Sequence, residues 1–168
     1  MECKMVTMDN LLDDFVSTIK AFEKHEVDYV LIGGFAMIVS GFNRLTQDVD
    51  VFVRPVPENI DRLKRALFEV FADSSIQEIS FSELEHYAVI RYCSPEGFVL
   101  DIISNIGEMF RFEDLGYETV RFGEVNVRVA NPETLYKMKK DTLREKDKVD
   151  AAFLTQLLKA KKTPEKEG

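Results

Sequence analysis

The sequence predicts a mixed α/β domain, a β-sheet covered by helices with a short helical end. Three observations carry this prediction. Apolar residues recur at helical spacing near the start, short β-type runs ending in Gly or Pro alternate with helical patterns in the first half, and paired β-type runs joined by tight turns fill the second. With 168 residues the chain is long enough for one domain with a proper core. At 45% apolar and 31% charged residues, disordered and collagen-like readings are excluded. We expect one domain over residues 1–160, with C-terminal helices from about 131, and a flexible tail over 161–168.

Residues 8–26 place Leu11, Leu12, Phe15, Val16, Ile19 and Phe22 on one helical face, with Thr7 as N-cap. Tyr29–Ile32 is a short strand ending in Gly33-Gly34. A brief helix follows over Phe35–Ser40, with Gly41 placed to end it. Asp48–Val53 is the next strand, stopped by Arg54-Pro55. Residues 57–72 form a helix with Ile60, Leu63, Ala66, Leu67 and Val70 on one face. Strands are expected at Gln77–Phe81, His86–Cys93 and Phe98–Ser104, the last two joined at Ser94-Pro95-Glu96-Gly97. A second hairpin pairs Glu118–Phe122 with Val125–Val129 around Gly123-Glu124. Asn131-Pro132-Glu133 opens a helix with a capping Asn and Pro at the first turn, and a last helix covers about 145–160.

Charge and composition narrow the function classes. No apolar stretch approaches the length of a membrane span, and MECKMVTMDNLLDD lacks the apolar centre of a signal peptide, so a cytoplasmic location without membrane attachment is expected. Cys3, Cys93, His25 and His86 give no zinc-type spacing. The net charge of −8 argues against sequence-independent binding of nucleic acid. Residues 134–168, however, hold ten Lys/Arg against six Asp/Glu, a local +4 that leaves −12 elsewhere. That basic end suits either a polyanion or a solvated helix surface.

The chemistry sits in three acids. Asp48 and Asp50 share one face of a strand while Val49 and Val51 point the other way. Asp101 occupies a similar place in GFVLDIIS. Carboxylates in apolar strands are costly unless compensated, and convergence on divalent magnesium is one way to compensate them. Gly33-Gly34, between a strand and a helix, lets backbone amides approach a phosphate. Each element alone is a weak signal. A turn explains Gly-Gly, and an Arg such as Arg91 could pair with Asp101. The ordered combination is stronger: strand, Gly-Gly, helix, then, across a gap of thirteen residues from Gly34, an Asp-Val-Asp strand, and a later strand Asp.

This pattern resembles the nucleotidyltransferase superfamily that includes DNA polymerase β. Arg44-Leu45-Thr46-Gln47-Asp48-Val49-Asp50 is similar to the R-x-T-x-D-x-D stretch of small bacterial and archaeal members of the type associated with toxin–antitoxin pairs. VANPETLYKMKKDTLREKDKVD resembles their closing region through Lys139, Arg144, Lys146, Asp147 and Asp150. The resemblance spans roughly residues 28–155. It implies the nucleotidyltransferase fold and transfer of a nucleoside monophosphate from an NTP, with release of pyrophosphate. It further implies that Asp48, Asp50 and Asp101 are catalytic and bind two magnesium ions, manganese being a substitute. Gly33, Gly34, Arg44, Thr46 and Lys139 then bind the nucleotide. Gly34 departs from the many catalytic members that carry Ser there. Helix-surface ion pairs are the expected role of Asp147 and Asp150, and a helical Lys such as Lys139 is ordinarily solvated.

The acceptor implied is a macromolecule, either an RNA end or a partner protein, because small relatives include toxins that modify tRNA ends and antitoxins that modify a partner toxin. A different class of function is a catalytically weak or inactive binding module, such as the antitoxin or partner component of a two-protein system. An Asp-x-Asp sugar transferase comes third, since it predicts neither the glycine pair nor Asp101.

Overall fold

In a computed structural model, which describes residues 6–106, 110–140 and 145–162, the chain forms one six-stranded mixed sheet with helices packed on it. Helix α1 (Met8–Lys24) buries Leu11, Phe15, Ile19 and Phe22, and the Thr7 side chain accepts a hydrogen bond from the Asn10 amide. Strand β1 (Tyr29–Ile32) is buried throughout and runs directly into α2 (Gly33–Val39), the chain turning at Gly33 with φ +73°. Strand β2 (Asp48–Val53) is followed by α3 (Pro57–Phe71), which packs against α1.

The segment after α3 departs from the expected strand at Gln77–Phe81. It forms a 3₁₀ turn over Ser74–Glu78 and then helix α4 (Phe81–His86). Local capping explains the difference. The Asp73 carboxylate accepts from the Ser75 amide at 3.1 Å and from the Ser75 hydroxyl at 2.6 Å, while the Ser80 hydroxyl accepts from the Glu83 amide at 3.1 Å. These caps favour helical turns over the β preference of Ile76, Ile79 and Phe81. Ile76, Ile79 and Leu84 still reach the core.

Strands β3 (Val89–Cys93) and β4 (Val99–Ile103) form the first predicted hairpin; β5 (Tyr117–Phe122) and β6 (Val125–Ala130) form the second. The sheet order is β3-β4-β2-β1-β6-β5. β2 runs antiparallel to β1 and parallel to β4, and β1 runs parallel to β6. Helices α5 (Pro132–Lys139) and α6 (Glu145–Lys162) close the described chain, with Asn131 capping α5 through its side chain. Arg144, Cys3 and the tail residues 163–168 lie outside the described residues, as does the side chain of Lys146. Among the described residues no helix is long and apolar enough to cross a membrane.

Two features hold the site end of the sheet in place. Phe15, Phe35 and Phe122 pack ring against ring, the first two centroids 4.2 Å apart, and so fix α2 beneath α1. Phe42, in the loop after α2, stacks on Phe153 of α6 at 4.5 Å. Away from the site, fully buried Asn59 acts as a polar bolt. Its Oδ1 accepts from the Asp28 amide at 2.7 Å, and its Nδ2 donates to the carbonyls of Asp28 and Arg54, each at 2.9 Å. Asn59→Leu strands all three backbone groups and is expected to cost about 2–4 kcal/mol, read by urea denaturation. A loss under about 0.5 kcal/mol, the usual size of a surface change, would show that the bolt is dispensable.

Candidate active site

Register brings the three predicted acids into one place. Asp50 lies opposite Ile32 on β1 and opposite Asp101 on the parallel neighbour β4. Arg91 on β3 lies opposite Asp101. The cross-strand row therefore reads Arg91, Asp101, Asp50, Ile32, with Asp48 one pleat along β2. Asp48 and Asp50 are half-buried while Val49 and Val51 are buried, as the alternation of a strand requires.

Gly33 comes immediately after Ile32, so the turn into α2 lies against Asp50. A Cβ at Gly33 would sit 2.1 Å from Asp50 Oδ2, and the positive φ independently disfavours any side chain. At Gly34 a Cβ would meet Thr46 Oγ1 at 3.1 Å and the Arg44 guanidinium carbon at 3.2 Å. Gly34, Arg44 and Thr46 are thus packed together at one edge of the acids. The Thr46 hydroxyl donates to the Asp48 carbonyl at 3.3 Å, a local bond that shapes the entry to β2.

Electrostatics mark Asp50 as the strained member. Burial, then the adjacent Asp101 carboxylate and Asp48, push the Asp50 carboxyl from 3.8 up to about 7, with Lys139 working against the rise. Arg91 compensates the other two acids. Its Nε donates to Asp101 Oδ1 at 2.8 Å, and its Nη2 donates to Asp101 Oδ2 at 3.0 Å and to Asp48 Oδ2 at 3.3 Å. The pairing of Arg91 with Asp101, an open alternative in the sequence, is present, and the Arg91 side chain, 58% exposed, spans a second acid as well.

Asp147 and Asp150 correct the expectation of surface ion pairs. Both are buried, at 1% and 0% exposure, and so is Lys139. Lys139 Nζ donates to Asp147 Oδ1 at 3.2 Å and lies 2.8 Å from Asp150 Oδ2, while Arg44 Nη1 donates to the same Asp150 oxygen. Spacing explains the burial. Residues three apart on a helix share a face, and on α6 that face is turned to α5 and to the loop before β2. Lys139 is solvated in neither sense expected of a helical lysine. It is enclosed by two carboxylates and acts on a third, Asp50.

The donor set suits a divalent cation. Three carboxylates supply oxygen ligands, and a cation beside Asp50, which burial and then the neighbouring acids push up to about 7, would offset that cost. Among the described residues no three metal-ligating side chains are already gathered into a metal-holding arrangement; Asp48 and Asp101 are turned onto Arg91 instead.

The sheet, the Gly33-Gly34 turn and the row of acids define a polymerase-β-like nucleotidyltransferase. The chain belongs to the family described as nucleotidyl transferase of unknown function (DUF2204), whose model matches residues 11–164. Comparison with curated protein sequences gives no match. Among solved structures the fold is similar to the lincosamide antibiotic adenylyltransferase LnuA, lincomycin-bound, with 16% identity and a TM-score of 0.55 over 92% of this chain and 99% of that one. The antibiotic-resistance factor ANT(2'')-Ia matches at 12% identity and TM-score 0.56, over 92% of this chain and 88% of that one. An antigenic nucleotidyltransferase-like protein from Paracoccidioides brasiliensis matches at 20% identity and TM-score 0.50, over 90% and 78% of the two chains.

Two outcomes follow from this geometry. A carboxyl whose folded pKa is raised stabilises the fold at low pH, and that contribution is lost as pH climbs from the unfolded value towards about 7. In chelator, Asp50→Asn is therefore expected to raise the melting temperature at pH 8 and to leave it nearly unchanged at pH 4. An equal shift at both pH values would show that ionisation of Asp50 is not the source. Gly33→Ala, which violates both φ and the Asp50 contact, is expected to cost about 2 kcal/mol or more by chemical denaturation.

Proposed function

We propose that this chain transfers a nucleoside monophosphate from an NTP to an acceptor hydroxyl. The observation that carries the reading is the adjacency of Asp50 and Asp101 against the Gly33 turn, within a nucleotidyltransferase family. In this reading the backbone amides of Gly33 and Gly34 receive the β- and γ-phosphates. Arg44 and Lys139 offset triphosphate charge from behind, with Thr46 orienting a phosphate. Asp48, Asp50 and Asp101 would hold magnesium, which when bound neutralises the triphosphate and lowers the pKa of the acceptor hydroxyl. The acceptor oxygen forms the new bond to the α-phosphorus, its proton passes towards Asp101, and the bond to the β-phosphate oxygen breaks to release pyrophosphate.

For the acceptor we favour an RNA end, because Lys137, Lys140, Lys148 and Lys159 are exposed on α5 and α6. A second reading, a small-molecule hydroxyl, is supported by LnuA, named for lincosamide adenylylation, and by ANT(2'')-Ia, which has been solved with adenylyl-2''-tobramycin. The match covers 99% of LnuA, a structure with lincomycin bound, so a chain of this size holds a small-molecule acceptor in that protein. Exposed lysines distinguish the two. Neutralising them weakens RNA transfer in a salt-dependent way and leaves transfer to a small molecule unchanged.

The direct test is calorimetric titration of each NTP with magnesium into wild type and Asp48→Asn. Binding by wild type that falls at least about tenfold in the variant supports the nucleotide site. If no NTP binds, the partner-binding module of a two-protein system becomes the better reading, and capture of a cognate protein is the next experiment.

A further inference from the structure

The chain brings two cations to its three acids, and the two are held very differently. Lys139, acting on Asp50, is buried and locked between Asp147 and Asp150. Arg91 grips Asp101 through two N–H donors and reaches Asp48 through one of them, yet its side chain is 58% exposed. It stands on β3, an edge strand that no further strand covers among the described residues. Asp101 itself is only 11% exposed at its side chain, and both of its oxygens are engaged by Arg91.

From this asymmetry we propose that Arg91 is a resident counter-cation that competes with the divalent metal for Asp48 and Asp101. The proposal rests on the metal-dependent reading of the site. In the metal-free protein the guanidinium supplies the positive charge that keeps Asp101 and Asp48 together beside Asp50. Metal binding requires the same carboxylate oxygens, so Arg91 swings off the edge strand into solvent, a movement its exposure permits. Lys139 has no such freedom and stays between Asp147 and Asp150 whether metal is present or not. The apparent metal affinity is therefore the intrinsic affinity reduced by the fraction of molecules in which Arg91 has released the acids.

Arg91 is a positioning residue in this scheme, and its test is metal binding without turnover. Mn²⁺ binding to the full chain is measured by electron paramagnetic resonance of the free ion, alongside melting temperatures in chelator and in millimolar Mg²⁺. Wild type, Arg91→Met, Arg91→Lys and Asp48→Asn are compared. Arg91→Met keeps the apolar stem and removes the charge. It is expected to bind Mn²⁺ about two- to fivefold more tightly, the scale of a partly exposed ion pair. It should also melt lower in chelator and gain more from Mg²⁺ than wild type does. Arg91→Lys, a point charge without the two-donor fork, falls between them and serves if Arg91→Met does not fold. Unchanged or weaker Mn²⁺ binding without the Arg91 charge overturns the competition while leaving the metal reading intact, provided Asp48→Asn loses the ion. No Mn²⁺ binding by any variant overturns the metal reading and this proposal together.

Discussion

Asp50 and Asp101 face each other on adjacent parallel strands, and much of this structure is arranged around the repulsion between them. Burial of the Asp50 carboxyl, and then the Asp101 carboxylate beside it, make ionisation costly, and the rise of Asp50 to about 7 expresses both. The surrounding chain answers in three ways. It leaves space, through a Gly33 whose missing Cβ makes room for the Asp50 carboxylate. It supplies charge, through Arg91 at one side and Lys139 at the other. It also fixes those cations with further carboxylates, since Lys139 would otherwise be a buried, unpaired ammonium.

That layered compensation explains why the C-terminal helices belong to the site. Helix α6 brings Asp147 and Asp150 beneath Lys139, and Asp150 also holds Arg44, which packs against Gly34. The Phe42–Phe153 stack supplies an apolar brace parallel to this ionic one. Charge on the reacting side and packing on the far side therefore meet in the same pair of contacts between α6 and the loop before β2. Buried ion pairs of this kind contribute little net stability compared with apolar packing, but removal of one partner is costly. Their value here is geometric.

Legibility in the sequence followed how local each signal was. Alternation placed Asp48 and Asp50 on one face, and the glycine pair announced a turn, because both patterns are contained within a few residues. The convergence of Asp101 was readable from the cost of leaving an acid in an apolar strand and from the family resemblance, while the register between β2 and β4 that produces it is a tertiary property. The strand expected at Gln77–Phe81 failed because capping by Asp73 and Ser80 outweighed a β-type composition. Asp147 and Asp150 were misplaced for a different reason. Ion pairing was expected of them, but nothing in a single sequence says which face of a charged helix is turned inward. The bridge from Arg91 to Asp48 crosses three strands and left no local trace.

Gly34 has a meaning beyond the space it saves. A side chain there would press on Thr46 and on the guanidinium that Asp150 anchors, so positions 34, 44 and 150 form one unit with no independent members. A side chain at residue 34 asks Thr46 and Arg44 to give by a few tenths of an ångström, and any shift of Arg44 passes to its ion pair with Asp150 on the last helix. A change at this glycine is thus felt first in the seating of the last helix, through Arg44, rather than at the acids themselves.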